Sequence, residues 1–140
     1  MKELGIINRG LSKVISEQGH QDLLMICDAG FSTPKDVEVI DISFKENQPK
    51  VIELLNELKK FFSVEKLILA IKTKKKNPGY FKEIISVYNG TSEVETIDHK
   101  ELKELAKQVK AIVRTGDFTA YANVILVSGA GKRWYSERDP

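Results

Sequence analysis

A chain of 140 residues with 41% hydrophobic and 30% charged side chains is long enough to bury a core without disulfides or metals. Its net charge of +2 makes no electrostatic case for a nucleic-acid partner, and no apolar run approaches the roughly 20 residues of a membrane span. A single cysteine, Cys27, excludes an internal disulfide, and with no apolar leader in the first ten residues the chain reads as cytoplasmic.

Leu11, Val14 and Ile15 keep helical spacing, and Gly19 is placed to end that helix in a left-handed conformation. Leu23 to Cys27 is a wholly apolar run, the pattern of a strand covered on both faces, and it delivers Asp28-Ala29-Gly30 at its carboxyl end. After the loop around Pro34, Val37, Val39 and Ile40 predict a second strand running into Asp41. Pro49 opens an amphipathic helix whose apolar side carries Val51, Ile52, Leu54, Leu55, Leu58, Phe61 and Phe62.

Leu67 to Ile71 predicts another buried strand, followed by a basic run at Lys72 and Lys74-Lys75-Lys76 that reads as a solvated loop. Asn77-Pro78 reads as an N-cap with proline in the first turn, and Phe81, Ile84, Ile85 and Tyr88 continue the helical period. Val94 to Ile97 is a short strand, and Asp98 with Glu101 resembles a capping box for a helix buried through Leu102, Leu105, Ala106 and Val109. Ala111–Val113 and Asn123–Val127 complete the strands. The order argues for an α/β fold, a three-layer-like sandwich in one domain over residues 1–130, with a charged, aromatic tail at 131–140 holding Trp134 and Tyr135.

Candidate chemistry gathers at element ends. His20 follows a helix stop, and His99 falls in a first helical turn, where the dipole disfavours imidazolium. One protonatable and one neutral imidazole suit acid–base work on a sugar hydroxyl or ring oxygen. Plainer roles compete with this one: a histidine behind a helix-terminating glycine serves as a cap or a surface residue, and Asp28 serves as a turn residue. Gly129-Ala130-Gly131-Lys132 lacks both the earlier glycine and the following hydroxyl of a phosphate loop, and the carboxylates show no metal spacing.

Taken together, Gly5-Ile6-Ile7-Asn8, Gly19-His20-Gln21-Asp22, Asp28-Ala29-Gly30 with Pro34, Ile40-Asp41, Asn77-Pro78, His99, Ile112-Val113-Arg114-Thr115-Gly116-Asp117 and Tyr121-Ala122-Asn123 resemble the D-ribose pyranase family, whose superfamily includes the L-fucose mutarotases. The resemblance implies a ring-shaped homo-oligomer, typically a decamer, and a cofactor-free isomerase of a monosaccharide, with no metal, membrane or nucleic-acid partner. It implies that His20 is the proton donor and that Asp28, His99, Tyr121, Ala122 and Asn123 hold the sugar. It leaves two alternatives open, a mutarotase of another sugar such as L-fucose and a sugar-binding accessory protein. The chain departs from the family at Lys72, where a glutamate is common, at Phe31-Ser32-Thr33, and in its tail beyond Gly129.

Overall fold

The computed structural model describes residues 1–89 and 92–131; the predicted tail, from Lys132 onward, lies outside them. Helices α1 (Arg9–Ser16), α2 (Val51–Leu58), α3 (Ile71–Lys76), α4 (Pro78–Val87) and α5 (His99–Leu105) alternate with strands β1 (Leu23–Cys27), β2 (Val39–Asp41), β3 (Val64–Ala70), β4 (Glu93–Ile97), β5 (Ala111–Arg114) and β6 (Val124–Ser128). The strands form one sheet in the order β2-β5-β1-β6-β3-β4. Every pairing is parallel except the two made by β6, which runs between β1 and β3 against both. Five strands therefore point their carboxyl ends to one edge of the sheet, and the amino end of β6 meets them there.

Period-two alternation distributes the core over two faces. Leu24 and Ile26 of β1, with Leu67 and Leu69 of β3, pack on one face against Leu11 and Val14 of α1, Leu54, Leu55 and Leu58 of α2, and Phe81 and Ile84 of α4. Met25, Cys27, Ile68 and Ile112 face the other way, against Leu102 of α5 and the following Ala106 and Val109. The result is a helix–sheet–helix sandwich, the expected α/β class. Burial inside β1 pushes the Cys27 thiol up to about 12, so it acts as a small apolar group.

Several expectations are corrected at element ends. α1 is capped by Glu17, and the left-handed residue that turns the chain toward β1 is Gln21 at φ 71°, not Gly19. Gly19 instead donates its N–H to the Asp22 carboxylate, which also receives Lys110. α2 begins at Val51 after Lys50, and Phe61 lies beyond its end, 53% exposed. β3 stops at Ala70, and the basic run predicted as a loop is the short helix α3. Asn77 and Asp98 do precede α4 and α5, but neither side chain bonds to a helix N–H.

Candidate active site

A cavity of about 530 Å³ opens at the carboxyl edge of the sheet, inside the roughly 300–1,000 Å³ usual for small-molecule sites. Three elements bring groups to it: Asp28 directly follows β1, Arg114 ends β5, and His99 with Lys103 comes from one face of α5. The loop before β6 adds Asp117, Phe118, Tyr121 and Asn123. In open α/β sheets ligands sit in the crevice outside the carboxyl ends of the strands, where the connecting loops converge.

These groups are cross-braced. The backbone N–H of Asp28 donates to Asn123 Oδ1 at 2.8 Å, and Ala29 donates to the Asp117 carbonyl at 2.8 Å. The Arg114 guanidinium spans the β1 and β2 ends, donating from Nε and Nη2 to the Ala29 carbonyl and from Nη1 to Asp41 Oδ2 at 2.9 Å. Thr115 Oγ1 donates to the Cys27 carbonyl at 2.8 Å. Asp117, fully buried, accepts the Val51 N–H at the start of α2, the Tyr80 hydroxyl and the Thr119 N–H. Its charge is thus stabilised by donors and by the positive end of α2.

Burial raises the Asp28 carboxyl above the usual carboxylate range; the N–H groups of Gly30 and Phe31 pull it down, and the nearby Asp117 charge pushes it up. His99 is lowered from the ordinary imidazole value, first by burial, then by the ammonium groups of Lys103 and Lys72, so it is neutral at pH 7. The expectation of a neutral His99 came from the helix dipole; the larger causes are desolvation and these two lysines. His99 Nδ1 is buried without a hydrogen-bond partner among the described residues. Its ring meets Tyr121 edge to face, with centroids 5.3 Å apart, and Lys72 Nζ lies 5.7 Å from the Tyr121 centroid.

Of the residues singled out from the sequence, Asp28, His99, Tyr121 and Asn123 line this one cavity. Ala122 does not; the whole residue is buried in the core, and its N–H donates to the Thr119 carbonyl at 3.3 Å. His20 lies elsewhere. It precedes β1, whose five residues at about 3.3 Å each separate it from Asp28, and its Nε2 donates to Glu65 Oε2 at 3.0 Å near the start of β3. Its side chain is 54% exposed. Lys103 was missed as a cavity residue, while Arg114 and Asp117, legible as a polar cluster ahead of the Tyr121 segment, had no individual role assigned. The i, i+4 spacing of Lys103 from His99 was the available signal for Lys103.

The polarity of the sheet and the braced cavity at its carboxyl edge define an α/β protein that presents carboxylates, an imidazole and an aromatic ring to a small polar ligand. The chain belongs to the RbsD / FucU transport protein family, which it matches over residues 1–131. It is 37% identical over 129 residues to the D-ribose pyranase of Pseudothermotoga lettingae, covering 92% of each chain. It is 39% identical over 132 residues to that of Thermotoga maritima, covering 92% of this chain and 98% of that one. Bacillus subtilis RbsD, solved in complex with D-ribose, superposes with a TM-score of 0.87 at 39% identity over 92% of this chain and 98% of its own. The fucose mutarotase of Streptococcus pneumoniae shares the fold, with a TM-score of 0.71 at 22% identity over 88% of this chain and 93% of its own.

Proposed function

We propose that this chain is a D-ribose pyranase, interconverting the pyranose and furanose forms of ribose by ring opening and reclosure. The observation that carries the reading is the convergence of Asp28, His99, Tyr121 and Asn123 on one cavity, in a chain 37% to 40% identical to D-ribose pyranases over nearly all of its length. Opening a hemiacetal delivers a proton to the ring oxygen, breaks its bond to the anomeric carbon, and removes the proton of the anomeric hydroxyl, leaving an aldehyde. Closure through a different hydroxyl gives the other ring size. Proton transfer alone completes the cycle, so the chemistry calls for neither a metal nor a redox carrier.

In this reading neutral His99 and Asp28 accept hydroxyl protons, Asn123 orients the sugar, and the Tyr121 ring packs on its apolar face. His20 is the general acid. With Nε2 engaged by Glu65, Nδ1 is the nitrogen left for proton transfer. Because one chain holds His20 and the cavity at opposite ends of β1, the acid reaches the sugar from a neighbouring copy in a ring-shaped homo-oligomer, for which a decamer is our reading. Phe118 lines the cavity yet is 64% exposed, an apolar surface for that neighbour to cover. Among the described residues no helix is long and apolar enough to cross a membrane, and we place the enzyme in the cytoplasm.

Saturation-transfer NMR on D-ribose tests this. The protein accelerates pyranose–furanose exchange, and His20→Ala lowers the acceleration by about 10²-fold or more, the usual worth of a positioned proton donor. Faster anomer exchange on L-fucose than on ribose would move the assignment to a mutarotase. Ribose binding without any exchange enhancement would leave an accessory sugar-binding protein.

A further inference from the structure

We propose that Thr73, on the short basic helix α3 outside the cavity, is a positioning residue that sets the sugar affinity of the site through the backbone of Tyr121; the inference rests on the reading of Tyr121 as a sugar contact. Tyr121 adopts φ 62°, a left-handed conformation that is unfavourable for a bulky side chain. Such a residue persists only where its surroundings over-determine it. Here they do so from one side. Thr73 is fully buried, and its Oγ1 donates to the Tyr121 carbonyl at 2.7 Å. One turn on, the Asn77 side-chain amide donates to the Ala120 carbonyl.

These bonds tie two successive carbonyls of the cavity loop to the α3–α4 junction. They fix the direction in which the Tyr121 ring leaves the chain, and so its meeting with His99. The placement also accounts for α3 itself. Thr73 is its one buried residue, and the remaining positions are exposed. A threonine in a lysine-rich helix that contributes nothing else to the core is there for what its hydroxyl holds. The methyl carries volume and the hydroxyl carries the bond, so the two parts are separable by substitution.

Thr73→Val keeps the shape and leaves the Tyr121 carbonyl without its donor; Thr73→Ser keeps the donor and loses the methyl. Calorimetric titration of D-ribose, with the exchange rate at saturating ribose measured by NMR, separates binding from turnover. Thr73→Val weakens ribose binding about tenfold with saturated exchange changed less than twofold, the pattern of lost uniform binding. Thr73→Ser stays within about twofold of the parent affinity even though its thermal midpoint drops, because the bond, not the packing, is what acts. Asn77→Ala, at a half-buried position, weakens binding in the same direction by about threefold. Unchanged affinity in Thr73→Val, or an equal loss in Thr73→Ser, overturns the proposal. Tyr121→Ala is the discriminating control. If it weakens ribose binding while Thr73→Val does not, the role of Thr73 alone fails; if it leaves binding unchanged, the sugar contact fails and the proposal with it.

Discussion

With the sugar-binding role proposed for it, Asp28 occupies a place where stability and function oppose each other. Its carboxyl is raised chiefly by desolvation, with Asp117 adding to the effect. A raised carboxyl contributes stability that is fully present below its unfolded value, about 3.9, and lost as pH rises through the folded one, so at pH 7 the charged form is a cost. Asp28→Asn keeps an oxygen for the Gly30 N–H and removes that cost. The variant melts higher than the parent at pH 7, the gain disappears near pH 3, and ribose binding falls by tenfold or more. Equal melting midpoints at both pH values would contradict the assignment of desolvation as the cause.

His99 has the opposite sign. Its imidazole is lowered, first by burial and then by Lys103 and Lys72, against the weaker opposing charges of Asp28 and Asp98. The unfolded chain takes up its proton first as pH falls below about 6.5, so stability is present above that value and is lost as pH falls through the window beneath it. Proton NMR of the imidazole resolves a midpoint below that of a free histidine, and Lys103→Gln moves it upward. A midpoint unmoved by Lys103→Gln would remove that ammonium from the causes.

At the scale of elements, the loop Thr115-Gly116-Asp117 is threaded under the turn before α2. A Cβ on Gly116 would lie 2.5 Å from the Lys45 carbonyl oxygen and 2.6 Å from that of Gln48, both backbone atoms that cannot swing aside. The same turn is bonded to Gly116 on both sides, through its N–H to Pro49 and through its carbonyl to Asn47. Gly116→Ala therefore destabilises by about 3 kcal/mol, the upper range of overpacking, and it disturbs Asp117 and the cavity together. Urea denaturation with parallel ribose titration reads both losses.

Legibility in the sequence followed the same physics. β1 and the stretches 67–70 of β3, 111–113 of β5 and 124–127 of β6 are continuous apolar runs because both sheet faces are covered there, and such runs declare themselves. α3 was misread because six residues with one buried side chain carry no amphipathic period; its hydrogen bond to the Tyr121 carbonyl joins positions 48 apart in sequence. Gly19 was the obvious candidate for a left-handed turn, yet Gln21 takes it, because the Gly19 N–H is held by Asp22 and the Gln21 N–H by Ser128 across the sheet. Arg114 and Asp117 stood in plain view as a polar cluster. Their work is to brace Ala29 and the start of α2, which lie far away along the chain.

The whole molecule turns on sheet polarity. With five strands parallel, all the cavity groups gather at one edge, while the start of β1 places His20 beside Glu65 and β6's carboxyl end at the other. No rearrangement of side chains within one copy spans that distance, so a site needing both His20 and Asp28 is completed only by a second copy. On the proposed roles of His20 and Asp28, assembly is a condition of catalysis, and complementation reads it. His20→Ala lacks the acid but keeps the cavity; Asp28→Asn keeps the acid but has a damaged cavity, and each assembly alone is inactive. Co-expressed in equal amounts and mixed at random, the two give sites in which about a quarter pair an intact acid with an intact cavity, so ribose exchange returns to about a quarter of the parent rate. Exchange remaining at the level of the separate variants, in assemblies shown by mass to be mixed, would mean that His20 and Asp28 act within one chain.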